Sequence, residues 1–149
     1  MTKNELLNEY EFHDCMIHSM KYVVEEWEIN FLLDIDYILE GPMNDEAPFS
    51  FRLTKGSIIF HNVIDIGIDI NSKIEEHHYN ISNPIILKIE VSENTIIKNN
   101  ITYYEWNIYT IDNKKTFSIL ASNMKFDPCQ NSIIVTRQHL YTEERSLLN

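Results

Sequence analysis

The sequence predicts a mainly β protein: one domain, residues 1–149, holding about eight or nine strands and one or two short helical turns. Three observations carry this. Isoleucine dominates the apolar residues, and its β-branched side chain suits a pleated, half-buried surface better than a helix. Apolar and polar residues alternate with period two in several stretches, most clearly from Ile58 to Ile70. Short intervals rich in Asn and Asp separate these stretches, while only 3 Gly and 4 Pro punctuate the chain. Strands at that spacing form an antiparallel sandwich, a barrel or a strongly rolled sheet.

Taken in order, Thr2 and Glu5 fit a capping box, so Glu5–Glu9 is expected to form a helical turn or two. Met16–Glu25 and Glu28–Glu40 read as two strands joined by a tight acidic turn at Glu26-Trp27-Glu28. In the second, Phe31, Leu33, Ile35, Tyr37 and Leu39 share one face, and Leu32, Asp34, Asp36 and Ile38 share the other. Gly41-Pro42 marks a loop that extends to Pro48. Phe49–Leu53 reads as a short strand stopped at Lys55-Gly56. The alternation that follows is too long for one straight strand, so a bulge or bend is expected near Gly67. Lys73–Asn80 is polar, with a helical turn as the expectation. Ile85–Val91, Tyr104–Ile108, Phe117–Ala121 and Ser132–Arg137 supply further strands before a polar tail. Asn99-Asn100 and Asp112-Asn113-Lys114 offer the connecting turns.

Composition narrows the function classes. No apolar run reaches bilayer-spanning length, and Met1–Glu5 lacks the apolar core of a signal peptide, so a cytoplasmic protein is expected. Cys15 and Cys129 stand apart, without a CxxC motif, and read as free thiols. The net charge is −11. Residues 1–46 carry twelve acids against Lys3 and Lys21, which accounts for all but one unit of that charge. Such a field repels nucleic acid and anionic membrane and attracts basic protein partners.

The segment Phe12–His18 gathers potential ligands. A hairpin centred near Trp27 would set His18 opposite Asp36 and Met20 opposite Asp34, leaving Asp14, His18, Asp34 and Asp36 on one surface patch. A histidine flanked by carboxylates suits acid–base work or a divalent cation; the simpler account is an exposed His–Asp pair of little energetic weight. His13, Asp14, His18, Asp36 and His61 are the candidate metal ligands, but no HExxH, CxxC or EF-hand pattern supports them. No GxSxG, P-loop or GxGxxG occurs, so no catalytic residue is assigned and no cofactor is implied. Tyr104 and Trp106 share a strand face, which points to core more than to a ligand platform.

Phe12-His13-Asp14, Leu33–Ile38, Ile59–Val63, Tyr104–Ile108 and Arg137-Gln138-His139-Leu140 together resemble a group of small uncharacterised bacterial proteins. The resemblance spans most of the chain. It implies a single mixed-to-all-β domain in a bacterial cytosol and carries no activity with it.

The expectation that follows is a non-catalytic binding protein whose acidic N-terminal hairpin docks a basic partner, in its sharpest form an immunity-type protein neutralising a basic toxin or nuclease. Asp14, His18, Glu25, Glu26, Asp34, Asp36 and Glu40 are the candidate partner surface. A small metal-dependent enzyme or metal binder is the second reading. A structural module that forms a homodimer through its strand edges is the third.

Overall fold

The computed structural model describes residues 7–42, 50–70, 74–75, 78–79, 84–111 and 113–148, with 74–75 and 78–79 by backbone alone. Among these described residues there are nine strands: β1 (Met16–Val24), β2 (Ile29–Glu40), β3 (Phe51–Ile68), β4 (Ile74–Glu75), β5 (His78–Tyr79), β6 (Ile86–Lys98), β7 (Ile101–Thr110), β8 (Lys114–Pro128) and β9 (Ile133–Val135). Seven belong to one antiparallel sheet in the order β1-β2-β3-β8-β7-β6, with β9 paired to the start of β3. Strands β4 and β5 pair with each other, Ile74 with Tyr79 and Glu75 with His78, so the described part of the segment expected to hold a helical turn is extended. Helix is confined to residues 7–9 and Thr142–Ser146 among the described residues.

The sheet rolls until its two outer strands meet at their beginnings. Met16 and Ile85 form a single antiparallel bridge. Beside it, Ile86 N–H donates to Cys15 O at 2.9 Å and Ile17 N–H donates to Pro84 O at 2.8 Å. Among the described residues no ladder extends this bridge, so the sheet is rolled and not closed into a barrel.

Period-two patterning sets the core. Phe31, Leu33, Ile35 and Tyr37 point inward as expected, joined by Ile58, Phe60, Trp106, Ile108, Phe117 and Ile119. Leu39 departs from the pattern and is exposed. The chain before β1 plugs one end of the roll: Phe12 and Tyr10 pack edge-on against Phe126, with centroids 5.1 and 4.9 Å away.

Two corrections concern β3. Lys55-Gly56 does not stop it, because β3 runs unbroken through both residues. A Cβ on Gly56 would lie 2.7 Å from the Phe126 ring, so glycine is there to admit that aromatic. The irregularity expected near Gly67 lies earlier, between Val63 and Asp65. Asn62 takes a positive φ of 54°, which asparagine tolerates, and the alternation changes phase there. Val63 is buried, whereas Ile64 and Ile68 turn outward.

The expected polar tail is a structured clasp. Alternation sends Asp36 to the face opposite Ile35 and Tyr37, yet Asp36 is 0% exposed because residues 136–148 fold back over it. Its carboxylate pairs with the Arg145 guanidinium and accepts the Leu140 N–H at 2.9 Å. Arg145 also donates to Ile35 O at 3.3 Å. Leu140 and Leu148 pack with Leu53, Ile38 and Ile133 in a second, smaller core on this side. The helix Thr142–Ser146 is started by Glu144, which accepts from the Tyr141 N–H at 2.7 Å. Arg137 lies 3.6 Å over the Tyr141 ring and pairs with Glu144.

Removing one partner of a buried ion pair strands the other charge, at a cost of roughly 3–5 kcal/mol. Asp36→Asn is therefore expected to lower unfolding free energy by about that much in urea titrations. Replacing the pair together, Asp36→Leu with Arg145→Met, should recover part of the loss, because no buried charge is then stranded and what is lost is the acceptor of the Leu140 N–H and the Arg145 donor to Ile35 O. Gly56→Ala should cost about 1–3 kcal/mol in the same assay, since the added methyl would meet the Phe126 ring at 2.7 Å and the Pro128 backbone at 3.1 Å.

Candidate functional site

The β1–β2 hairpin forms as expected, closed by residues Glu25–Glu28 with Glu25 N–H donating to Glu28 O at 2.9 Å. Its pairing runs Tyr22↔Phe31 and Val24↔Ile29, which puts Tyr22, Val24, Ile29 and Phe31 on one face. Phe31 lies in the core, but the ribbon continues past it. Tyr22 and Val24 are 66% and 69% exposed, and Ile29 is exposed too. At the tip, Trp27 is 93% exposed. The inward face of the sheet thus continues as an uncovered apolar strip that ends in a tryptophan flanked by Glu25, Glu26 and Glu28.

A second feature lies lower on the same ribbon, on the outer face. Ser19 pairs with Asp34, Asp34 with Ser57 and Ser57 with Asp127, so four residues form one row across β1, β2, β3 and β8. Directly paired residues share a face, which makes the row a continuous strip of hydroxyl, carboxylate, hydroxyl and carboxylate. Ser57 Oγ donates to Asp34 at 2.7 Å and Ser19 Oγ donates to its other oxygen at 3.1 Å. The clasp helix rises beside this row and contributes Thr142, Arg145 and Ser146 to a cleft of about 500 Å³. His18, Lys55 and Cys129 also line it.

The register corrects the sequence expectation. Ser19, not Met20, lies opposite Asp34, and Met16, not His18, lies opposite Asp36. The pairing shifts between Ile17 and Ser19, which leaves His18 as the extra residue of a bulge. Nor is Asp36 part of a surface patch; the clasp buries it.

The remaining candidates separate. Asp14, at a φ of 67°, pairs with neighbouring His13 at 3.1 Å. Glu40 lies 3.9 Å from Arg52, and Glu28 lies 3.8 Å from His61. Glu25 and Glu26 are exposed and make no ion pair among the described residues. At the tip, Glu25 and Glu26 keep their charge exposed, while lower on the ribbon Asp34 is met by the Ser19 and Ser57 hydroxyls and Asp36 by Arg145. Of the candidate metal ligands, His13 and Asp14 pair with each other, Asp36 faces Arg145, and His61 faces Glu28. Among the described residues, no group of three or more His, Cys, Asp or Glu is placed to hold a metal ion. Glu5, Asp45, Glu46 and His77 lie outside the described residues.

Sequence reasoning did not single out Trp27, Ser19, Ser57, Asp127 or Arg145 as site residues. Trp106, by contrast, is core as expected, with its indole N–H donating to Ala121 O at 3.4 Å. Both cysteines are free thiols.

No protein-family model, curated protein or solved structure matches the chain. No helix among the described residues is long and apolar enough to cross a membrane.

Burial pushes the Cys15 thiol from its ordinary 9.0 up to about 12, with Asp14 and Asp36 adding to the rise. The unfolded chain therefore loses this proton first. Stability conferred by the protonated thiol is complete below pH 9 and declines between pH 9 and about 12. The slope from this one group is about 1.4 kcal/mol per pH unit. Cys15→Ala should flatten the alkaline decline of unfolding free energy by that slope. In native protein at neutral pH, Cys15 should stay unlabelled by iodoacetamide until the chain unfolds.

Proposed function

We propose that this chain is a non-catalytic binding protein that docks a basic protein partner on the tip of the β1–β2 hairpin. The observation that carries the reading is Trp27, 93% exposed between acidic neighbours at the end of an uncovered apolar strip. An indole held in water gains most when a partner covers it, and Trp and Tyr are enriched among residues that dominate interface energies. Glu25 and Glu26 supply the complementary half. Their charge, within a chain of net charge −11, steers cationic surfaces toward the tip and disfavours anionic ones.

An immunity-type protein that neutralises a basic toxin or nuclease is the sharpest form of this reading. A surface built to hold phosphates is cationic and meets an acidic hairpin favourably. What supports that form is charge alone. The metal-dependent alternative is not carried forward, because its five candidate ligands do not converge.

The test is affinity chromatography of extract from the cells that encode the protein, followed by binding kinetics on the basic protein retained. Trp27→Ala should weaken the complex by about thirtyfold, a loss typical of a central aromatic anchor. Glu25→Lys with Glu26→Lys should mainly slow association, and added salt should slow the wild type toward the variant. A partner that binds all three proteins alike, or a retained fraction without basic protein, would overturn the reading.

A further inference from the structure

We infer that the far end of β3 is a dimerisation edge, along which a second copy of this chain adds its own β3 antiparallel, about a two-fold axis at Gly67. The inference is independent of the docking reading above.

The topology leaves this edge open. Strand β2 begins at Ile29 and pairs with β3 only as far as Phe31↔Phe60, whereas β3 continues to Ile68 with β8 on its other side. Among the described residues no strand takes the place of β2 beside Val63–Ile68. The Asp69 N–H donates to Thr116 O at 2.8 Å, so the odd-numbered residues here bond to β8. By alternation, the N–H and C=O groups of Ile66 and Ile68 point to the open side. Such an edge is a template for another strand. It is also apolar: Ile64, Ile68 and Ile70 are 42%, 46% and 41% exposed.

The sequence of the edge selects its occupant. Ile64-Asp65-Ile66-Gly67-Ile68-Asp69-Ile70 is a palindrome. Two copies laid antiparallel about its centre set Gly67 against Gly67, Ile66 against Ile68, Asp65 against Asp69 and Ile64 against Ile70. In a two-fold interface every contact recurs with its partners exchanged, and here each exchange keeps isoleucine on isoleucine. The backbone groups agree with that register. Ile66 and Ile68 become hydrogen-bonded pairs, which leaves Gly67 in a non-hydrogen-bonded pair, where Cα atoms approach to about 4.5 Å.

Gly67 points to a second chain in its own right. Glycine inside a strand weakens it and often marks the close approach of another backbone. Nothing within the subunit uses this one. Its φ is not positive, and an added Cβ would meet only Ser118, at the ordinary distances of 3.7 and 3.8 Å.

Charge sets the strength. Asp65 would face Asp69 of the partner subunit, a repulsive pairing. Lys114 lies 3.3 Å from Asp69 and brings a cation to that pair. The net charge of −11 opposes association at longer range. A weak dimer is therefore expected, with a Kd of about 10–100 µM at about 0.15 M salt.

Sedimentation equilibrium of the full chain measures the association, and cysteine crosslinking reports its register. Ile68→Lys, at an exposed position, should weaken the dimer about tenfold or more and leave the urea midpoint of dilute protein unchanged. Under a mild oxidant, Gly67→Cys should form a covalent dimer, because a non-hydrogen-bonded pair meets disulfide geometry. Asp65→Cys mixed with Asp69→Cys should crosslink too. Asp65→Cys alone should not, since its two copies lie four residues out of register. A chain that stays monomeric to about 1 mM, or an association that Ile68→Lys leaves unchanged, would overturn the inference. So would crosslinking of Gly67→Cys no greater than that of Asp65→Cys alone.

Discussion

A carboxylate with no exposed surface lies on the outer face of β2, and the rest of the functional architecture depends on how its charge is met. Asp36 would be costly there alone, because burying an ion without a partner costs several kcal/mol. Arg145 and the Leu140 N–H meet it from the clasp. That ties residues 136–148 to a strand more than a hundred positions earlier. Leu140 and Leu148 then add apolar cover over Leu53, so charge sets the place and hydrophobic burial contributes the adhesion. Once seated, the helix Thr142–Ser146 forms one wall of the cleft whose floor carries Asp34.

The same ribbon serves two sides of the molecule. Its inward face supplies Phe31, Leu33 and Ile35 to the roll and then continues, uncovered, to Trp27. Its outward face carries Asp34 in the cleft and Asp36 beneath the clasp. Rolling makes both possible. Among the described residues, the strands that would flank the hairpin tip in a closed barrel meet only around the Met16–Ile85 bridge, at the far end of β1 from the tip. Aromatic packing of Phe12 and Tyr10 on Phe126, admitted by Gly56, fills the end of the roll near that bridge.

Much of the fold was legible because period-two patterning reports local burial directly. The hairpin, its inward residues, the Asn-rich turns and the burial of Trp106 all follow from alternation and turn chemistry. Asn99, Asn100 and Asn113 hold the positive φ values that such turns require. What was not legible depends on residues distant in sequence. Nothing near Gly56 announces Phe126, and Asn62 can change the phase of β3 without interrupting its pattern of apolar residues. The clasp read as a polar tail because its anchors, Leu140, Arg145 and Leu148, are widely spaced and its one essential charge meets a partner on β2. The site suffered most from register. The turn is centred between Glu26 and Trp27 and not on Trp27, which moves the pairing by one residue and sets Ser19 opposite Asp34 in the Ser19–Asp34–Ser57–Asp127 row; the bulge at His18 moves Ile17 and Met16 by one more, so Met16 meets Asp36. Trp27 was legible as a turn residue; its exposure followed from where the neighbouring strands end.

The account stands on the claim that Asp36 holds the clasp in place as a unit. Hydrogen–deuterium exchange of wild type and Asp36→Asn under native conditions tests it most directly. Loss of protection in Asp36→Asn should be confined to residues 137–148, with the Leu140 amide among those affected and the β2–β3–β8 ladder still protected. Unchanged protection across the clasp, or a uniform loss throughout the sheet, would contradict it.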